Sequence, residues 1–281
     1  MTPAPQPKSQ SATSANIQTF VINLDRSTHR LAAMRNRLGR LNMAWQRVAA
    51  VDGHTLDLAG NHAVSPRDYQ RCHGKDLNPA EVGCYLSHLA CLRLFLAGPA
   101  QHALILEDDA DFPADFEPLL DHLLAIHDRW DIVKLSGFHS GTPVRIAKLN
   151  APYALAVPLS RHMNANSILF SRRAAETLLA QMLPMFLPYD HALERAWLFG
   201  LKLRIVTPSP CPSETDLLTT IGDRPHLKRF KFPLHKRLPA MLFRLRTEAM
   251  RLAFGLIHLY AARRIGNRVA SNFFSAKPHK Q

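Results

Sequence analysis

Ala103-Leu104-Ile105-Leu106-Glu107-Asp108-Asp109, with Asp111 two residues further on, is the stretch on which the fold is decided. Four consecutive apolar residues read as a short buried strand. A strand apolar on both faces belongs inside a sheet covered by helices on both sides. In such open α/β sheets, ligands bind outside the carboxyl ends of the strands. This strand runs straight into three acids, which repel one another unless a cation sits among them. A divalent ion answers that repulsion and can also hold a diphosphate. An acidic turn facing water is the alternative, and the apolar strand just before it favours the metal.

The flanking segments supply the rest of an α/β pattern. Thr19-Phe20-Val21-Ile22-Asn23-Leu24 reads as a strand, followed from Ser27 by a helix with Leu31, Met34, Leu38 and Leu41 on its apolar face. Residues 48–51 form a second strand, closed by the turn pair Asp52-Gly53. Residues 54–77 read as a polar, irregular loop. Asn78-Pro79-Ala80-Glu81 opens a helix, with Asn78 as cap, proline at the first position and an acid where a capping box has one. Beyond the acidic stretch come a helix near 115–127, a strand over 131–135, a loop-rich region over 139–165 and a strand over 167–170. A helix capped by Ser171, a helix from Leu187-Pro188-Tyr189-Asp190 to about Phe199 and a strand over 203–206 complete the pattern. This alternation predicts an α/β fold with a mainly parallel sheet flanked by helices. The expected organisation is a disordered leader over 1–17, a catalytic domain over 18–225 and a basic helical tail over 226–281.

At 47% apolar residues, the 281-residue chain can bury a large core, which excludes global disorder. Nearly all of its net charge of +13 sits in the tail. From Lys228 to Gln281 there are thirteen Lys/Arg and one acid, Glu248. A helix over 236–264 places Leu238, Leu242, Leu245, Ala249, Leu252, Leu256 and Leu259 on one stripe among basic residues. Such a tail suits an anionic membrane surface; a helix packed on the body by that stripe is the competing reading. A nucleic-acid-binding protein would also use the charge, but the acidic strand end would then be unexplained, and no nucleic acid is expected. The four cysteines, Cys72, Cys84, Cys91 and Cys211, form no CxxC pair. The first eighteen residues lack an apolar core, and no run of eighteen apolar residues occurs. A reduced cytoplasmic protein, peripheral on the cytoplasmic face of the inner membrane, is the expectation.

Three further groups carry candidate chemistry. Asn23-Leu24-Asp25-Arg26 with Arg30 follows the first strand; the two arginines, four apart, could hold phosphate if both lie on the helix. Gly83-Cys84-Tyr85-Leu86-Ser87-His88 puts a glycine inside a helix, where another group can approach closely, and a histidine that orients a ligand or is simply a hydrogen-bonded core residue. Cys72, His73, Cys84 and His88 match no standard zinc spacing. Asp190 is either a helix cap or a carboxylate that accepts a proton from a hydroxyl. GxGxxG, Walker A and GxSxG patterns are absent, which argues against dehydrogenase, P-loop and serine-hydrolase chemistry. A metal-dependent phosphohydrolase remains as a rival use of the acids.

In order along the chain, Phe20-Val21-Ile22-Asn23-Leu24-Asp25-Arg26 with Arg30, Ala50-Val51-Asp52-Gly53, Glu81-Val82-Gly83-Cys84-Tyr85-Leu86-Ser87-His88, Leu106-Glu107-Asp108-Asp109-Ala110-Asp111-Phe112, Asp131-Ile132-Val133-Lys134-Leu135 and Pro188-Tyr189-Asp190 resemble the family 25 glycosyltransferases. That group comprises lipooligosaccharide galactosyltransferases and collagen-type glycosyltransferase domains. The resemblance covers about residues 18–210. It implies a GT-A fold, a UDP-sugar donor (UDP-galactose), Mn2+ or Mg2+, transfer with inversion, and a lipopolysaccharide, other glycolipid or oligosaccharide acceptor. It marks Glu107 and Asp109 as metal ligands and Asp108 as part of the same donor motif. Asn23, Arg26, Arg30, Asp52 and Ser87 become donor-side residues, His88 joins the site, and Asp190 becomes the base. The sequence departs from the family at Met163-Asn164-Ala165-Asn166-Ser167, where a Gly and a Tyr are usual.

Overall fold

The computed structural model describes residues 16–41, 43–58, 60–138, 141–211, 230 and 232–275, with side chains placed through residue 264. Eight strands form one sheet: β1 (Ile17–Asn23), β2 (Trp45–Ala49), β3 (His102–Glu107), β4 (Ile132–Lys134), β5 (Pro143–Lys148), β6 (Ala154–Pro158), β7 (Ser167–Ser171) and β8 (Leu203–Thr207), in the order β2-β1-β3-β7-β4-β8-β6-β5. Helices α1 (Thr28–Leu38) and α4 (Phe116–Ala125) bury Met34, Leu38, Phe116, Leu119 and Leu123 against one face. Helices α3 (Pro79–Ala97) and α5 (Arg172–Gln181) bury Val82, Leu89, Leu92, Ala174 and Leu178 against the other. The α/β class with helices on both faces is therefore as expected.

The sheet is mixed rather than mainly parallel. β1 pairs in parallel with β2 and β3, and β4 with β8, but β7 runs antiparallel between β3 and β4, and β6 is antiparallel to both β5 and β8. A strand buried on both faces is an apolar run whichever way it points, so periodicity carries no direction. Two expected loops also contain elements. Residues 139–165 hold the hairpin β5–β6, and residues 54–77 hold α2 (Pro66–His73), a polar helix that buries only Tyr69 and His73. The expected leader lies outside the described residues except at its end, where Ile17 already opens β1.

Helix α3 is long and apolar enough, by length and composition, to cross a membrane. Its apolar surface is spent inside the protein: Val82, Tyr85, Leu89, Cys91, Leu92 and Phe95 are all buried. Near its start, Gly83 explains why a helix tolerates a glycine here. A Cβ at that position would lie 2.4 Å from the Val51 carbonyl oxygen and 2.7 Å from the Gly53 nitrogen. Gly83→Ala is therefore expected to destabilise the protein by about 1–3 kcal/mol through overpacking. Denaturant unfolding checks this, and the gain of about 1 kcal/mol that alanine gives in an unhindered helix is the result that contradicts it.

The last helix, α6 apart, is α7 (Leu238–Ser275), while α6 (Tyr189–Leu193) is short and ends at a separate 3-10 turn, Ala196–Phe199. α7 packs on the body, but not by its leucine stripe. The residues that face inward include Ala240, Phe243, Arg244, Arg251, Phe254, Gly255 and His258, whose partners include Gly74, the His73 carbonyl, Glu194, Trp197, Leu159 and Arg204.

Candidate active site

Because β1, β2 and β3 are parallel, their carboxyl ends meet at one sheet edge, bringing Asn23, Asp52 and Glu107 together. Asp108 is pinned there from both sides. Its Oδ1 accepts from Arg30 Nη1 at 2.9 Å and its Oδ2 from Asn23 Nδ2 at 2.7 Å. Asn23 is fixed in turn, donating to the Ser27 carbonyl and accepting from Arg47 Nε. The pair expected to share a helix face does not. Arg30 lies buried on α1, whereas Arg26 lies in the turn before it and pairs with Asp52.

With Asp108 held by Arg30 and Asn23, the other two acids, Glu107 and Asp109, have contrasting surroundings. Glu107 Oε1 lies 3.0 Å from His88 Nε2 and 3.5 Å from Cys84 Sγ. Burial would push the Glu107 carboxyl up, but the contact with His88 outweighs it and holds the group below the ordinary carboxylate range. Asp109 is the opposite case. Burial first, then the neighbouring Glu107, push its carboxyl up to about 7 against the pull of Arg30. Its Oδ1 is buried without a hydrogen-bond partner among the described residues. A buried carboxylate oxygen with no donor, beside two more carboxylates, is the environment a divalent cation relieves. Glu107 and Asp109 would hold it. Cys84, His88 and Glu107 also offer ligand atoms within 4.8 Å of one another, a group that leaves out Cys72 and His73.

Ser87 and Asp52 shape the same edge. The Ser87 hydroxyl donates to the Gly83 carbonyl and accepts from the Val51 amide at 2.8 Å, clamping the loop after β2 onto α3. Ser87 is fully buried, so it positions Asp52 rather than reaching a ligand itself. Asp52 accepts the His54 amide, which, with Arg26, holds its carboxyl below the usual range.

A cavity opens beside the acids, and Glu107 and Asp190 both line it. Asp190 is not the helix cap, a position taken by Pro188; its Oδ1 accepts the amide of the adjacent His191. His88 is not among the residues lining this cavity. It is fully buried behind Glu107, with Tyr189 stacked on its ring at 4.1 Å, so it meets the site through its contact with Glu107. Further polar residues line the same wall. Glu81, read as a capping acid, turns inward to accept from the Tyr69 hydroxyl, and Lys75 lies 3.9 Å from it. Asn164 holds a backbone φ of 127° and caps the amides of Ala165 and Asn166 with its own side chain. Two of these had left a signal: Glu81, Cys84 and His88 recur at three and four, on one helix face, and Asn164 lies in the stretch that departs from the family.

The pattern of the family described as glycosyltransferase family 25 (LPS biosynthesis protein) matches residues 16–193, which span every one of these side chains. The chain belongs to glycosyltransferase family 25. A probable inactive glycosyltransferase 25 family member 3 from Rattus norvegicus is 29% identical over 63% of this chain and 32% of its own. The procollagen galactosyltransferase 1 of Danio rerio is 26% identical over 63% of this chain and 30% of its own. The family 25 chain thus spans about a third of the length of these curated relatives. Among solved structures, a mannosyltransferase from Pyrobaculum calidifontis in complex with GDP-Man and Mn2+ aligns over 93% of this chain and 81% of its own, at 11% identity and a TM-score of 0.41.

Proposed function

We propose that this family 25 protein transfers a sugar, galactose, from a UDP-sugar to a lipopolysaccharide, lipooligosaccharide or related glycan acceptor, with inversion and with Mn2+ or Mg2+. Family membership alone does not carry activity, since relatives named inactive fall within the same similarity. The observation that carries the reading is that Glu107 and Asp190 line one cavity, while the Oδ1 of Asp109, two residues after Glu107, is buried with no hydrogen-bond partner among the described residues.

Asp190 accepts the proton of the acceptor hydroxyl as its oxygen bonds to the anomeric carbon and the bond to the nucleoside diphosphate breaks on the opposite face. Glu107 and Asp109 would hold a divalent ion, which would supply charge neutralisation for the leaving diphosphate. Asn23 and Arg30 hold Asp108 and so keep the strand end in one geometry. Arg26 and Asp52, exposed at the same edge, form the donor's nucleotide platform.

Calorimetric titration with a panel of nucleotide sugars tests this. UDP-galactose is expected to bind in Mn2+ or Mg2+ and to lose at least about tenfold in affinity in EDTA, a change of about 1.4 kcal/mol. Release of phosphate from simple esters, with no nucleotide sugar bound, would instead make the protein a phosphohydrolase.

A further inference from the structure

The inward face of α7 mixes apolar contacts, Phe243 on the core and Phe254 on the Trp197 ring, with a set of ionic and polar ones. Arg251, 6% exposed, reaches Glu194 at 3.3 Å and also pairs with Glu248, while Arg244 donates to the His73 carbonyl and His258 meets Arg204. The opposite face carries the leucines, and nothing among the described residues covers them. Leu238, Leu242, Leu245, Leu252 and Leu256 are all exposed, and Met241, Ile257 and Tyr260 widen the strip. Soluble proteins seldom expose a continuous apolar strip of this kind without a partner. At 1.5 Å per residue it runs for about 33 Å along the helix from Leu238 to Tyr260.

We infer that this face docks the protein on an anionic lipid bilayer, lying in the interface with its leucines in the acyl boundary. Charge selects this occupant. Arg246, Arg263 and Arg264 are exposed along the strip, and the segment's one acid, Glu248, is already engaged by Arg251 and Arg161. A second copy of the same chain would bring a second uncompensated set of cations against the first. Nucleic acid would answer the cations but leave the leucines in water. An anionic bilayer answers both, because apolar burial and head-group attraction act together on such a helix. The placement also fits the site. α7 packs on α2, its Ala240 lies against Gly74, and Arg244 holds the carbonyl of His73, a residue of the cavity wall. The helix proposed to meet the bilayer thus also braces the cavity wall. Taken with the transferase reading, on which this last step rests, the acceptor is a lipid-linked glycan presented from that bilayer.

The test is co-sedimentation of the full chain with vesicles of phosphatidylcholine alone and of phosphatidylcholine mixed equally with phosphatidylglycerol. The chain is expected to bind the mixed vesicles and to release them as salt rises. The variant combining Leu242→Ser, Leu245→Ser and Leu252→Ser is expected to lose at least about tenfold in vesicle affinity with an unchanged melting temperature, since all three side chains already face water. The variant combining Arg263→Gln and Arg264→Gln should bind mixed vesicles more weakly while its residual binding to phosphatidylcholine is unaltered. No binding to mixed vesicles overturns the inference. So does sedimentation velocity showing a dimer that the triple serine variant converts to monomer, which would assign the face to a second copy. Binding is scored without substrate, so a failed transferase assay leaves it standing, and failed docking leaves transfer to a soluble acceptor intact.

Discussion

Asp109→Asn is expected to abolish sugar transfer while leaving the protein folded. Asparagine keeps the shape of the side chain but removes the charge that a divalent ion needs, and with it the neutralisation of the leaving diphosphate. Loss of several kcal/mol of transition-state stabilisation corresponds to a fall of roughly a thousandfold or more in turnover. The fold should tolerate the change, and the sign of the titration says why. The folded carboxyl titrates at about 7, above its unfolded value. Its contribution to stability is thus complete at pH values below the unfolded pKa of about 4 and is lost as pH rises through 7, where the buried charge opposes folding. Asparagine never ionises. In EDTA at a pH above 7, the variant should melt at or above the wild-type temperature. Turnover by the variant at the wild-type rate would remove Asp109 from the metal site, and a lower melting temperature would make it a structural residue.

Asp190→Asn should act on a different step. A base that takes the acceptor proton works in the transition state, so kcat is expected to fall by roughly 100- to 10,000-fold with donor affinity unchanged. The rival role, a helix cap, has little structural basis, because Pro188 occupies the capping position and Asp190 Oδ1 accepts the neighbouring His191 amide, which an asparagine oxygen can accept equally well. Melting should therefore be unchanged. Initial rates at saturating donor, set beside calorimetric affinity for the donor, separate the two roles; intact kcat with earlier melting would leave Asp190 a purely structural residue.

What could be read from the chain follows the range of the interactions involved. The apolar runs of β1 and β3 and the helix start at Asn78 are local signals, and each element lies where it was read. The direction of β7 is not local, since Ile168, Leu169 and Phe170 are buried on both faces whichever way the strand runs. Helix α2 was missed because only Tyr69 and His73 turn inward among polar neighbours, too little to show a period. In the site, the acids of 107–109 and Asp190 were legible as residue types at strand and helix ends. Their division of labour was not: that Asp108 faces Arg30 and Asn23 while Asp109 Oδ1 has no hydrogen-bond partner among the described residues depends on chain segments about eighty residues apart. The leucine stripe of α7 was legible too. Which side of the helix meets the body was decided by Glu194, whose charge is matched from afar by Lys134 and Arg251.

Glu194 also fixes where the protein can be shortened. It lies 2% exposed, four residues after Asp190, with Lys134 at 3.0 Å and Arg251 at 3.3 Å. Burial would push its carboxyl up, yet these two cations hold it below the usual range. Ending the chain near residue 225, the boundary that the jump in charge invites, would strip one of those cations from a sealed carboxylate and bare the ring of Trp197, on which Phe254 stacks. A soluble working version of this protein is therefore to be sought by repainting the outer leucines with polar side chains, and the smallest autonomous unit extends at least as far as His258.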